Sequence, residues 1–199
     1  MASLVLIYTA FKDTNLGYSL LFIFLGIASI AAAIKYTVGK SAYGYHGMGD
    51  VFVFLFFGLL SVMGSYFLYT KQLFLPLWLP ACAIGFLSSG VLNLNNMRDR
   101  ESDKKVGKNT LVVYLGAQKA EKYHTFLLLA AMLFMVVYTV TTPLKLSHWI
   151  YIVVFAQIIK HLRFVKENKE PINLDPQLKV LALSTFFLSV LFSLGLLIW

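Results

Sequence analysis

Long runs without a charged residue decide what this chain can become. Thr14–Ile34, Val51–Thr70, Gln72–Met97, Tyr123–Leu144 and Val180–Trp199 each hold at least 20 consecutive residues free of Asp, Glu, Lys and Arg. About 20 apolar residues in a helix cross the hydrocarbon core of a bilayer. Inside that core the backbone must satisfy its own hydrogen bonds, so only helices or a closed barrel span it. A barrel would show short alternating segments instead of long apolar runs. A sixth run, Leu146–Ile159, has 14 residues and reaches span length if Lys160 snorkels to the surface. Residues 1–11 are uncharged but too short to span, and they lack the basic start and cleavage pattern of a signal peptide. The expected fold is all-α: a polytopic transmembrane helix bundle of about six spans plus an N-terminal half helix. No repeat or soluble segment interrupts it, so residues 1–199 read as one transmembrane domain. The composition agrees, with 59% hydrophobic and 13% charged residues, where a soluble domain carries about 25% charged.

The charges between the runs orient the bundle. Alternate loops place 14 of the 17 Lys and Arg on one side, leaving Lys12, Lys71 and Lys145 on the other. The positive-inside rule puts the rich side in the cytoplasm and Trp199 outside. The net charge of +8 needs no nucleic-acid partner, because membrane topology accounts for the basic residues. The single cysteine, Cys82, excludes an intramolecular disulfide and reads as a small packing residue.

Two polar stretches on the rich side carry chemistry. In the first, Arg98–Lys105 packs four basic and three acidic residues into eight positions directly after the Gln72–Met97 run. If the helix continues, Asn95, Asp99 and Asp103 fall at i, i+4 and i+8 on one face. Two carboxylates and an amide, ringed by Arg98, Arg100, Lys104, Lys105 and Lys108, suit a divalent cation bound together with a phosphorylated ligand, the arrangement Mg²⁺ prefers. The bland alternative is a wet loop of mutually offset charges. Polar residues at the mouth of a membrane bundle favour function. Glu101 points off the aspartate face and reads as solvated. Gly107, Lys108 and Thr110 fit either an anion-binding turn or an ordinary turn and helix start. In the second stretch, residues 35–50, four glycines accompany Lys35, Lys40, His46, Tyr36, Tyr43 and Tyr45. These residues fit a phosphate-binding loop or an interfacial aromatic belt. His124, His148 and His161 are isolated in sequence, which argues against zinc, and His124 and His148 read as interfacial.

The string NNMRDRESDKKVGKNTL followed by VVYLG resembles the second aspartate-rich motif of the UbiA prenyltransferase superfamily: DxxxD, a lysine, then GKxTL. The Asn-Asn and Arg98–Asp99 pairs, together with YTVGKSAYGYHGMGDVFVFLFFG upstream, resemble most the branch that prenylates 1,4-dihydroxy-2-naphthoate. The resemblance implies a helical bundle around a central cavity and a Mg²⁺-dependent transfer. A polyprenyl group would pass from polyprenyl diphosphate to 1,4-dihydroxy-2-naphthoate, with loss of CO₂, on the way to menaquinone. It further implies that Asp99 and Asp103 are catalytic and bind metal with Asn95 or Asn96. Arg98, Lys104, Lys105, Lys108, Tyr36 and Lys40 would bind the diphosphate. The family's first aspartate-rich motif lies upstream of anything matched here, so the resemblance implies N-terminal truncation against the family's nine helices. Asp13 and Asp50 are single acids that do not replace that motif, and His46 stands where this branch commonly has Arg. The competing expectation is a non-catalytic fragment, scaffold or transporter of the same fold. A transporter would place ionisable groups nearer the midplane and show repeats. A phosphatidyl-alcohol transferase would need a longer aspartate motif than this one.

Overall fold

The computed structural model describes residues 1–39, 42–142 and 145–198, and every regular element among them is helical. The helices are α1 (Ala2–Phe11), α2 (Leu16–Thr37), α3 (Gly49–Thr70), α4 (Trp78–Lys105), α5 (Leu111–Leu115), α6 (Ala117–Thr141), α7 (Val153–Glu167) and α8 (Asp175–Leu197). Five segments are long and apolar enough to cross a membrane: α2, α3, Leu75–Lys105, α6 and Pro171–Leu197. The expected sixth span differs. A 3₁₀ turn over Leu146–Ile152 runs into α7, so the segment is helical throughout. Lys160, Arg163, Lys166 and Glu167 crowd its second half, which keeps it from being apolar along a full span.

The α4 helix is the axis of the molecule. Its run of 28 residues passes from the apolar segment through the DxxxD motif without a break, as the sequence implied. Pro76 and Pro80 sit at its entry, where missing N–H groups cost least. Leu87 and Leu94 of α4 are fully buried against Leu128 and Met135 of α6, Ile158 of α7, and Leu181 and Leu188 of α8. On the other side α3 approaches α4 closely. A Cβ on Gly58 would lie 2.6 Å from the Gly85 Cα and 2.7 Å from the Ala81 carbonyl oxygen. Small residues of this kind let membrane helices pack backbone to backbone. Around that contact α3 is underwound into a π segment, Phe54–Leu60, a geometry that recurs at functional sites.

The outer helices behave as lipid-facing elements. No residue of α2 is buried, and Leu20, Phe24, Ile27 and Ile30 are all at least 60% exposed. Such surface suits lipid tails and not water. Asn15 caps α2 by accepting from the Gly17 N–H at 2.7 Å. Phe11, Phe22, Phe67 and Tyr18 then clasp α1, α2 and the end of α3 at the end of the bundle away from the charged loops. Cys82 is buried and unpaired, as expected.

The histidines correct the sequence reading. His124 of α6 is fully buried and not interfacial, and its Nε2 lies 2.9 Å from Nε2 of His161 on α7. His161 Nδ1 is 2.8 Å from Gln177 Oε1 on α8. Because that oxygen only accepts, Nδ1 of His161 carries the proton and its Nε2 accepts from His124. One hydrogen-bonded chain therefore staples three helices together. His124 and His161 are 37 residues apart, so no local spacing announces the pair.

Candidate active site at the polar mouth

The two polar stretches singled out in the sequence meet at one end of the bundle. The Asn109 N–H donates to the Tyr45 carbonyl at 3.1 Å, and Gly47, at φ +72°, packs against Asn109 and Leu111. Asn109 follows a turn in which Gly107 adopts φ +73°, a conformation that favours glycine. Thr110 then caps α5 by accepting from the Val113 N–H at 3.3 Å. Gly107–Thr110 thus forms a turn that leads directly into a capped helix start.

Arg98 organises the first half of the mouth. Its guanidinium donates to both carboxylate oxygens of Asp99 at 2.8 Å and to Asn95 Oδ1 at 3.0 Å. It also pairs with Asp175, the first residue of α8. A bidentate Arg–carboxylate contact is among the stronger charge-assisted bonds. No sequence signal marks Asp175, which lies 77 positions from Arg98 at the start of a different helix.

Lys108 organises the second half. Its Nζ lies 3.1 Å from both carboxylate oxygens of Asp103. Asp103 is buried, while Lys104 and Lys105 are exposed and, among the described residues, make no ion pair with either aspartate. Tyr36 lies within electrostatic range of Lys108, Asp50 and Asp103. Its ring is wedged against Gly44 and Gly49, where a Cβ would meet it at 2.9 and 3.2 Å. Lys40 lies outside the described residues.

Asp50 belongs to the same end of the bundle. It is only 5% exposed and its Oδ1 has no partner. Its backbone carbonyl accepts from Ser89 at 3.0 Å, and the Tyr123 hydroxyl lies close to its carboxylate. A single acid in the sequence, Asp50 is placed by folding within electrostatic range of Tyr36 and Tyr123. The two motif asparagines part company. Asn95 bonds Arg98 and lines a cleft, whereas Asn96 is 3% exposed on the buried side of α4, with its amide oxygen unpartnered.

Two apolar clefts open beside this charged rim. One, of about 720 Å³, is bounded by Tyr36, Tyr43, Gly49, Phe52, Phe56 and Leu92. The other, of about 670 Å³, lies between α3, α4 and α8 with Asn95 and Lys179 at its polar edge. Both share Val53, Phe57 and Leu92. An apolar cleft capped by a few convergent polar groups is the ordinary form of a small-molecule site.

The fold and this mouth define a multi-pass membrane protein that holds paired acids and bases over apolar clefts. The chain belongs to the UbiA prenyltransferase family, whose model matches residues 1–191. It is 44% identical over 184 residues to a protein of Haemophilus influenzae named 1,4-dihydroxy-2-naphthoate octaprenyltransferase, covering 92% of this chain and 60% of that protein. The protein of that name in Escherichia coli is 41% identical over 175 residues, covering 88% of this chain and 57% of the relative. The one in Bacillus subtilis is 29% identical over 177 residues, covering 87% and 56%. The chain thus spans about 60% of the length of these relatives. No solved structure matches it significantly.

Proposed function

We propose that this chain carries the second aspartate half of a site that transfers a polyprenyl group from polyprenyl diphosphate to 1,4-dihydroxy-2-naphthoate, with decarboxylation, in menaquinone biosynthesis. The observation that carries this reading is the convergence of Asn95, Arg98, Asp99, Asp103, Lys108 and Tyr36 at one mouth above the apolar clefts. The names of the relatives supply the substrate pair. The alternative of a non-catalytic scaffold or transporter gains nothing from this geometry.

The donor set fits a hard divalent cation. Asp99 and Asp103 stand one turn apart on α4 with the Asn95 amide beside Asp99, all oxygen donors. Among the described residues no three His, Cys, Asp or Glu side chains gather closely enough to hold a metal alone. Mg²⁺ does not need such a cage, since it commonly takes one or two carboxylates and completes its shell with phosphate oxygens and water. When bound, Mg²⁺ would draw charge from the departing diphosphate. Arg98 and Lys108 would add fixed positive charge where the leaving group gathers its negative charge. Lys104 and Lys105, exposed at the rim, would attract the diphosphate from solution. Phe52, Phe56 and Phe57 would keep water from the allylic cation. We place the mouth on the cytoplasmic side of the plasma membrane, as the positive-inside rule directs, and read residues 1–199 as part of one transmembrane domain.

The test is prenyl transfer in membranes carrying the full chain, with 1,4-dihydroxy-2-naphthoate, a long polyprenyl diphosphate and Mg²⁺. Product that is lost in Asp99→Asn supports the reading; product of equal yield from Asp99→Asn overturns it.

A further inference from the structure

The chain already neutralises both aspartates of the DxxxD pair with its own cations, and it does so in two different ways. Arg98 holds Asp99 while also bonded to Asn95 and to Asp175 of α8. It has anchors other than the aspartate it covers. Among the described residues, the side-chain bonds of Lys108 go to Asp103, with Nζ equidistant at 3.1 Å from the two oxygens. The ammonium therefore sits on the lone pairs that a chelated cation would use. The Lys108 backbone is fixed from beneath, since its N–H donates to the Asp103 carbonyl at 2.9 Å in the turn made by Gly107. The four-carbon stem leaves the ammonium free to move while the backbone stays in place.

We propose that Lys108 is a resident counter-ion of the metal site, occupying Asp103 until a divalent cation and a diphosphate arrive together, and that Arg98 stays in place because Asp175 anchors it. This rests on the site binding a diphosphate, as proposed above. A cation entering alone would meet the ammonium of Lys108 and the guanidinium of Arg98 at close range, which opposes binding. A diphosphate entering alone would meet Asp99 and Asp103. When both enter, the cation takes the carboxylates and Lys108 turns to the diphosphate oxygens, so each positive charge gains a negative partner. Each ligand then raises the affinity for the other by the same factor.

The test is Mn²⁺ binding to the full chain in detergent micelles, followed by electron paramagnetic resonance, with and without inorganic pyrophosphate. Lys108→Met is expected to bind Mn²⁺ alone roughly tenfold more tightly than the wild type and to respond less to pyrophosphate. Lys119→Met removes the same charge from an exposed lysine that pairs with neither aspartate, and is expected to leave Mn²⁺ affinity within about twofold. Lys108→Gln repeats the measurement should the Met variant fold poorly. Equal Mn²⁺ affinity in the Lys108 variants and Lys119→Met overturns the counter-ion role while leaving the diphosphate site standing. Absence of Mn²⁺ binding from every protein, with pyrophosphate present, overturns both.

Discussion

Asp99 and Asp103 look equivalent as letters in a motif, yet their surroundings differ. Asp99 is about one third exposed and locked by a bidentate arginine, whereas Asp103 is nearly enclosed beneath Lys108. Asp99→Asn and Asp103→Asn are each expected to lower prenyl transfer by about 100-fold or more, the scale on which removal of one charge-stabilising group acts. Initial rates in membranes at matched protein levels check this. Asp175→Asn is expected to act more gently. Arg98 would lose one anchor but keep Asn95 and Asp99, so KM for the polyprenyl diphosphate should rise several-fold with kcat little changed. A fall in kcat with constant KM would count against a positioning role. The motif residues were legible because DxxxD at helical spacing declares its own geometry. Asp175 and Asp50 were not, since an isolated acid gains meaning only from the element that folding sets beside it.

Among the elements, the junction of α3 and α4 is the least tolerant. Gly58 faces Gly85 with no room for a side chain, so Gly58→Leu must push the helices apart at the wall shared by both clefts. Loss of folded protein, or a melting temperature lowered by several degrees in detergent, is the expected outcome. The histidine staple makes a second prediction. His161→Leu leaves His124 Nε2 and Gln177 Oε1 without partners inside the bundle. It should cost about 1–3 kcal/mol of stability, read as a shift in denaturation midpoint. Tyr151→Phe removes the 2.8 Å bond to Thr139 and should cost less, about 0.6 kcal/mol on the scale of such bonds between membrane helices. Helix positions were readable from charge-free runs. The π segment and the glycine contact were not, because both answer to a neighbouring helix and not to the local sequence.

At the scale of the whole molecule, the charged loops sort cleanly by end. Tyr45, Arg98, Asn109 and Asp175 meet at one end, while Ser147 bonds the Ile198 carbonyl at 3.2 Å at the other. With Cys82 replaced by Ala, a cysteine placed at Lys105 should react with an impermeant thiol reagent only after the cell membrane is opened, and one placed at Gln72 should react in intact cells. The reverse pattern would invert the proposed orientation. What the sequence determined by itself was the material and the motif: charge-free runs that only a bilayer satisfies, a basic bias between them, and a DxxxD signature continuing an apolar helix. These are local or additive properties, fixed by hydrophobicity and helical periodicity. Only the tertiary structure decided which lysine covers Asp103, that Asp175 reaches Arg98, that two distant histidines share a proton, and that Asp50 stands beside Tyr123. Lys108 reaches Asp103 across the local turn at Gly107; the other pairs join residues brought together by packing, and nothing in the spacing of one helix encodes the face that another helix will present to it.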